Sequence, residues 1–247
     1  MTLFNLKAGS IPGKDHLFRQ ANCQDRYRCG VFEIEGKLYR AGIVCDGCGS
    51  ADASEVGAAL LAEFSMTEVA RLIGQGVAFE DLAGELYRNS LGFLEKLTGL
   101  VAGESVSPDR ATGFVGRFLL ATVLGFVMSE EKTLIFAAGD GFIIVNDEIE
   151  CRDEDNRPHY LAYSLLDPSQ YPELPTRPKN FDFQLLPTAS VERLAVWTDG
   201  FDPALKEEIW NLAGPRGLQR KLNVWGKRHI FADDTTGITL EKAGQEA

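Results

Sequence analysis

Ala41-Gly42-Ile43-Val44-Cys45-Asp46-Gly47 is an apolar run that stops on Asp-Gly. Two further runs end the same way. Leu134-Ile135-Phe136-Ala137-Ala138 leads into Gly139-Asp140-Gly141, and Leu194-Ala195-Val196-Trp197 leads into Thr198-Asp199-Gly200. Short apolar runs rich in branched and aromatic residues read as strands buried in a core. Each therefore delivers a carboxylate to the rim of a sheet. Asp25, after Asn22-Cys23-Gln24, and the pair Asp233-Asp234 fit the same scheme. Carboxylates gathered at strand ends repel one another unless a cation lies among them, and hard oxygen donors with few histidines suit Mg²⁺ or Mn²⁺. The plain alternative is that Asp-Gly is a common hairpin turn. One such turn would be read that way; three closing buried strands point to a site.

The pattern around these runs sets the expected architecture. Strands are predicted near 3–9, at 28–34 and 37–45 as a hairpin turning on Glu35-Gly36, and at 114–128, 132–138, 142–145 and 148–150. Others are predicted at 181–187, 191–197 and 235–241. Helical spacing of Val56, Leu60, Leu61, Phe64, Val69 and Leu72 predicts a helix capped by Ser54, and a second runs from about 79 to 97. Shorter helical stretches fall near 203–213 and 216–222, with a loop over 101–113. Residues 152–180 hold five of the ten prolines, which resist central strands, so this segment is predicted to be a surface insertion. No repeat or linker marks a second domain. The expectation is one α+β domain over 1–247, with two antiparallel sheets and helices packed outside them.

Composition narrows the function classes. The hydrophobic share of 45% allows a sizeable core. A net charge of −11 argues against a nucleic-acid partner, because phosphate backbones demand Lys/Arg patches. No run is long enough to cross a bilayer, and the first residues do not resemble a signal peptide, so no membrane partner and a cytoplasmic location are expected. Five irregularly spaced cysteines do not form a disulfide framework.

Other sites are weighed and set aside. Gly9-Ser10-Ile11-Pro12-Gly13-Lys14 falls one residue short of a P-loop, with Asp15 in the place of its Ser/Thr. No G-x-S-x-G elbow occurs. His16, His159 and His229 are too dispersed for a local zinc motif; His16, near Arg19, is the strongest of the three as a catalytic candidate. Cys45-Asp46-Gly47-Cys48 has dithiol spacing, but the chain lacks the βαβ unit that a thioredoxin-like protein needs.

Taken in order, Arg19-x-x-Asn22-x-Gln24-Asp25, Asp46-Gly47-x-Gly49-Ser50, Gly139-Asp140-Gly141, Thr198-Asp199-Gly200 and Asp233-Asp234-x-Thr236 resemble the metal-dependent protein phosphatases of the PPM, or type 2C, family. Each motif is short; five in the family's order span nearly the whole chain, and their wording is most similar to divergent bacterial members. The resemblance implies a four-layer αββα sandwich with two central antiparallel sheets. It implies that Asp46 bridges two Mg²⁺ or Mn²⁺ ions with the Gly47 carbonyl as a further ligand, and that Asp199 and Asp233 complete one ion's shell. Asp25 would hold metal-bound water, Asp140 a third ion, and Arg19 the substrate phosphate. Residues 152–180 would be a flap beside the channel. The implied activity is hydrolysis of phosphoserine and phosphothreonine in proteins by a hydroxide shared between the two ions. The partners would be phosphorylated proteins, products of a cognate Ser/Thr kinase.

Two departures matter. Gln24 stands where many members carry an acid, and Cys48 where eukaryotic members often have a His proposed to protonate the leaving group. They keep open a second reading, a catalytically weak or inactive metal-binding domain that recognises phosphoproteins.

Overall fold

The computed structural model describes residues 4–102, 108–154, 158–167, 169 and 179–243. Among the described residues, ten strands form two five-stranded antiparallel sheets. The first takes the order β1-β10-β9-β6-β7, from β1 (Phe4–Ile11), β10 (Thr235–Lys242), β9 (Arg193–Trp197), β6 (Gly141–Val145) and β7 (Glu148–Arg152). The second takes the order β2-β3-β4-β5-β8, from β2 (Arg26–Ile34), β3 (Lys37–Cys45), β4 (Val123–Met128), β5 (Lys132–Ala138) and β8 (Asp182–Pro187). Val44, Leu124, Phe126, Ile135, Val196 and Ile238 meet between the sheets in a dry core.

The β2–β3 hairpin turns where expected. Glu35 and Gly36 have φ of 51° and 75°, the left-handed pair that a two-residue hairpin requires. Outside the second sheet lie α2 (Glu55–Gly74) and α3 (Phe79–Ala102), which bury Leu61, Val69, Leu72, Leu82 and Leu86 against Ile43 and Phe136. Outside the first lies α5 (Gly217–Lys227), whose Leu218, Leu222 and Trp225 pack on Ile11 and Trp197. A short helix, α1 (Lys14–Arg19), follows β1. Helices thus cover both outer faces, and the four-layer αββα arrangement predicted from the sequence is the one found.

Three local expectations need correction. Residues 114–122 are not strand: α4 (Pro108–Phe114) runs into a π-helical turn at Val115–Leu119, and β4 begins only at Val123. Val115, Leu119 and Leu120 are buried all the same, so an apolar run was mistaken for a buried strand where it is a buried helical turn. The predicted loop at 101–113 is shorter than expected, since α3 reaches Ala102 and α4 starts at Pro108; residues 103–107 lie outside the described residues. Ser54 precedes α2 but makes no cap bond, and its hydroxyl instead donates to the Cys48 carbonyl at 2.9 Å.

Much of 152–180 lies outside the described residues. In its described part, Leu161–Leu165 forms a 3₁₀ turn, and Tyr160, Leu161, Ala162 and Leu166 join the core around α3. That portion is anchored, not merely laid on the surface.

Candidate metal centre

The strands set the carboxylates in place. β3 ends at Cys45, so Asp46 emerges at the edge of the second sheet. There its backbone is clasped by Thr122, whose Oγ1 accepts from Asp46 N–H at 3.1 Å while the Thr122 N–H donates to the Asp46 carbonyl at 2.8 Å. β9 ends at Trp197, and the next residue, Thr198, donates its hydroxyl to Asp25 Oδ2 at 2.7 Å while accepting from Thr236 N–H at 3.0 Å. That one side chain ties the loop before β2, the end of β9 and the start of β10 together.

Two of the glycines beside these aspartates are required by crowding. A Cβ on Gly200 would lie 2.0 Å from the Asp234 carbonyl oxygen, and one on Gly47 would lie 2.8 Å from the Gln24 carbonyl. The Asp-Gly pairs are therefore places where two chain segments cross in contact, which a simple hairpin-turn reading does not require.

These loops enclose a cavity of about 270 Å³. Asp46, Gly47, Asp140, Asp199, Asp233 and Asp234 line it, with His16, Gln24, Cys48 and Tyr160. Carboxylate oxygens of Asp46, Asp140 and Asp199 lie within 4.8 Å of one another. Asp233 stands instead with Asp234 and His16, again within 4.8 Å. Asp25 is sealed behind this wall, 1% exposed, with Oδ1 buried and unpartnered. The predicted acidic residues thus converge, but in two groups.

Two predicted site residues stand outside the cavity lining: Asp25, buried behind the wall, and Arg19. Arg19 is exposed at the end of α1, one turn beyond His16.

The electrostatics are those of uncompensated negative charge. Among the described residues, no Lys or Arg lines the cavity. Burial, reinforced by Asp234 and Asp199, pushes the Asp25 carboxyl up to about 8 against the Thr198 hydrogen bond. Burial and the neighbouring Asp199 raise Asp140 to about 7. Asp46 is driven well above the carboxylate range by desolvation and by Asp25 and Asp199, and Asp233 is raised by burial. A set of hard oxygen donors that resist ionising beside one another is one that divalent cations would hold in the charged form. The residues present fit such ions.

All five cysteines are free, Cys45 is fully buried, and burial together with Asp25 pushes its thiol far up, where thiolate chemistry fails.

A family model described as protein phosphatase 2C matches residues 12–225. The chain belongs to the protein phosphatase 2C family. Solved structures similar to it agree in fold. The serine/threonine phosphatase Stp1 from Staphylococcus aureus is 16% identical over 98% of this chain and 96% of its own, with a TM-score of 0.61. The catalytic domain of the serine/threonine protein phosphatase PstP, solved with two manganese ions, is 13% identical over 98% and 99%, with a TM-score of 0.58. RsbX, solved in complex with magnesium, is 14% identical over 97% and 96%, with a TM-score of 0.51. A search of curated proteins finds no match. Among the described residues, no helix is long and apolar enough to cross a membrane.

The sequence gives no role to Asp234 or Thr122, and it offers His16 only as a weak catalytic candidate, not as a neighbour of the acidic pair. Asp234 was quoted as half of an acidic pair, yet only Asp233 received a role. Its carboxylate accepts from Gly13 N–H at 2.8 Å and from Gln24 N–H at 2.5 Å, fastening the start of β10 to the loops on both sides of α1. Gly13 and Asp234 are 221 positions apart, and no local pattern announces such a pairing.

Proposed function

We propose that this protein is a divalent-metal-dependent phosphatase that hydrolyses phosphoserine and phosphothreonine in proteins. The observation that carries the reading is the cavity wall itself: Asp46, Asp140, Asp199, Asp233 and Asp234 facing one space with no Lys or Arg among them, and Asp25 behind. Such a wall repels a phosphate dianion unless cations intervene. PstP, of the same fold, was solved with two manganese ions, which supports the same class of ion here.

In this reading Asp46, Asp140 and Asp199 hold Mg²⁺ or Mn²⁺ from one side of the cavity, with Asp233 and the Gly47 carbonyl as further donors. Bound there, divalent ions would lower the pKa of a water and offset charge developing on the phosphoryl oxygens. The chain's own part is positioning. Thr122 fixes the Asp46 backbone, and Thr198 fixes Asp25 against a second strand end, so the donors need little reorganisation. Gln24 replaces an acid without adding charge; its amide donates to the Cys48 and Ala51 carbonyls at 3.3 and 3.0 Å, so it shapes the loop after Gly47. Arg19, exposed at the end of α1, is assigned to the incoming phosphate. The segment containing Pro158 and Tyr160, which reach the cavity wall, is assigned the flap role.

The test is hydrolysis of an aryl phosphate and of a phosphothreonine peptide, with Mn²⁺ and after chelation. Turnover that appears with Mn²⁺ and vanishes with chelator is expected. A second reading rests on Cys48, a thiol in the cavity wall where a proton donor is expected in relatives. Tight phosphopeptide binding without phosphate release under saturating Mn²⁺ would favour that recognition role and overturn the enzyme.

A further inference from the structure

The second acidic group contains a side chain that an all-oxygen centre does not account for. His16 is 8% exposed, and its Nδ1 is fully buried. That atom lies 2.7 Å from Asp234 Oδ2, yet the contact lacks the alignment of a hydrogen bond. Both Asp234 oxygens are turned toward backbone amides instead, Oδ1 to Gly13 and Oδ2 to Gln24. An Asp–His pair that existed for its own sake would point its N–H along an oxygen lone pair. A buried nitrogen left unmatched costs free energy, which a ligand would recover.

The surroundings hold this nitrogen still. Lys14 N–H and Asp15 N–H, in the first turn of α1, each donate at 3.2 Å to the Phe231 and Ala232 carbonyls, immediately before Asp233. Gly13 packs so closely on the same stretch that a Cβ would lie 2.2 Å from the Asp233 carbonyl carbon. The Asp234 N–H donates to Asp233 Oδ1 at 2.7 Å, fixing the neighbouring carboxylate. The imidazole and both carboxylates are thus preset within 4.8 Å of one another on a rigid contact between two segments, facing the same cavity as Asp46 and Asp199.

We propose that His16, Asp233 and Asp234 form a mixed nitrogen–oxygen cation position, in which the His16 imidazole is a direct metal ligand. The inference rests on the cavity being a divalent-metal centre and adds a donor of a different kind to it. Carboxylates alone suit Mg²⁺ and Mn²⁺ alike, whereas an imidazole is accepted poorly by Mg²⁺, better by Mn²⁺ and best by borderline ions such as Fe²⁺ and Zn²⁺. The chain is therefore expected to discriminate against Mg²⁺ at this position, and to lose that discrimination when the nitrogen is removed.

The experiment is pulsed electron paramagnetic resonance of Mn²⁺ bound to the full chain. Electron spin-echo modulation from a directly coordinated ¹⁴N is expected, changing to the ¹⁵N pattern when the protein is made with ¹⁵N-labelled histidine. In His16→Gln the nitrogen modulation should vanish and Mn²⁺ affinity should fall about tenfold or more, with Mg²⁺ affinity little changed. His159 and His229 serve as internal controls, because substituting them should leave the modulation intact. Mn²⁺ bound without histidine nitrogen coupling would overturn this inference and leave the phosphatase centre standing. Failure to bind Mn²⁺ at all would overturn both. The labelled native protein decides the matter even if His16→Gln folds poorly.

Discussion

Two of the places where this molecule buries charge are built on opposite principles. On β1 and β10, Lys7 is 5% exposed and pairs with Glu241, which is 6% exposed. Glu241 Oε2 also accepts from Asn211 N–H at 2.8 Å, so both the ammonium and the carboxylate are answered within the chain. At the cavity, by contrast, Asp25, Asp46, Asp140, Asp199, Asp233 and Asp234 crowd together without a Lys or Arg among the lining residues. Asp25, Asp140 and Asp234 are buried there, and although hydrogen bonds reach Asp25 and Asp234, no cationic Lys or Arg side chain answers the group among the described residues. The difference marks the first as structural and the second as a place for something the chain does not itself supply.

The comparison breaks most decisively through substitutions that reverse the two behaviours. Asp199→Asn should lower Mn²⁺-dependent kcat/KM on an aryl phosphate by about a thousandfold, while the melting temperature of the metal-free protein stays level or rises because a repulsion is removed. Steady-state kinetics beside thermal melts would check it, and full activity in the variant would remove Asp199 from the centre. Lys7→Met should do the opposite, stranding Glu241 and costing about 3 kcal/mol of stability. Activity per folded molecule should be unchanged; urea unfolding beside an active-site titration measures both.

Acidity sharpens the contrast next. In the protein without bound cations, Asp25 at about 8 and Asp140 at about 7 lie above their ordinary value of 3.8. Raised carboxyls favour the folded state below about 4, and that contribution is lost as pH rises through 7 and 8. Melting temperature measured with chelator should therefore fall across this window on their account. Mn²⁺, which favours the ionised forms, should stabilise the protein strongly at pH 8 and little at pH 5. The smallest effect belongs to Arg19→Ala. An exposed guanidinium is worth about 1 kcal/mol or less, so a rise in KM of about fivefold with kcat unchanged is expected, and an unmoved KM would take Arg19 out of the substrate path.

How much of this was legible beforehand differs from element to element. Strands β3, β5 and β9 could be read because a strand buried on both faces is written as continuous apolar sequence, and the aspartates behind them because each closes such a run. Residues 114–122 could not, since Val115, Leu119 and Leu120 are as apolar in a buried π-helical turn as in a strand. Leu61 and Val69 face the core as expected, while Val56, read on the same stripe, is 41% exposed at the first turn of α2. At the site, the identities of the carboxylates were legible and their grouping was not. Asp233 lines the same cavity as Asp46 and Asp199, as expected of it, and it also stands within 4.8 Å of His16 and Asp234, which was not expected. Nothing local to residue 16 announces that partnership, because the packing of α1 onto the approach to β10 creates it.

The strand order of the first sheet has a consequence in time as well as in space. β10 lies between β1 and β9, pairing Ser10 with Thr236 and Trp197 with Gly237. Until residues 233–242 leave the ribosome, β1 and β9 have no common neighbour, Thr198 lacks its partner at Thr236, and the acidic wall is missing two members. Contacts of such long sequence separation form slowly. A nascent or truncated chain that ends before β10 would carry most of the fold's mass and none of its finished cavity, so competence would arrive all at once, when β10 joins.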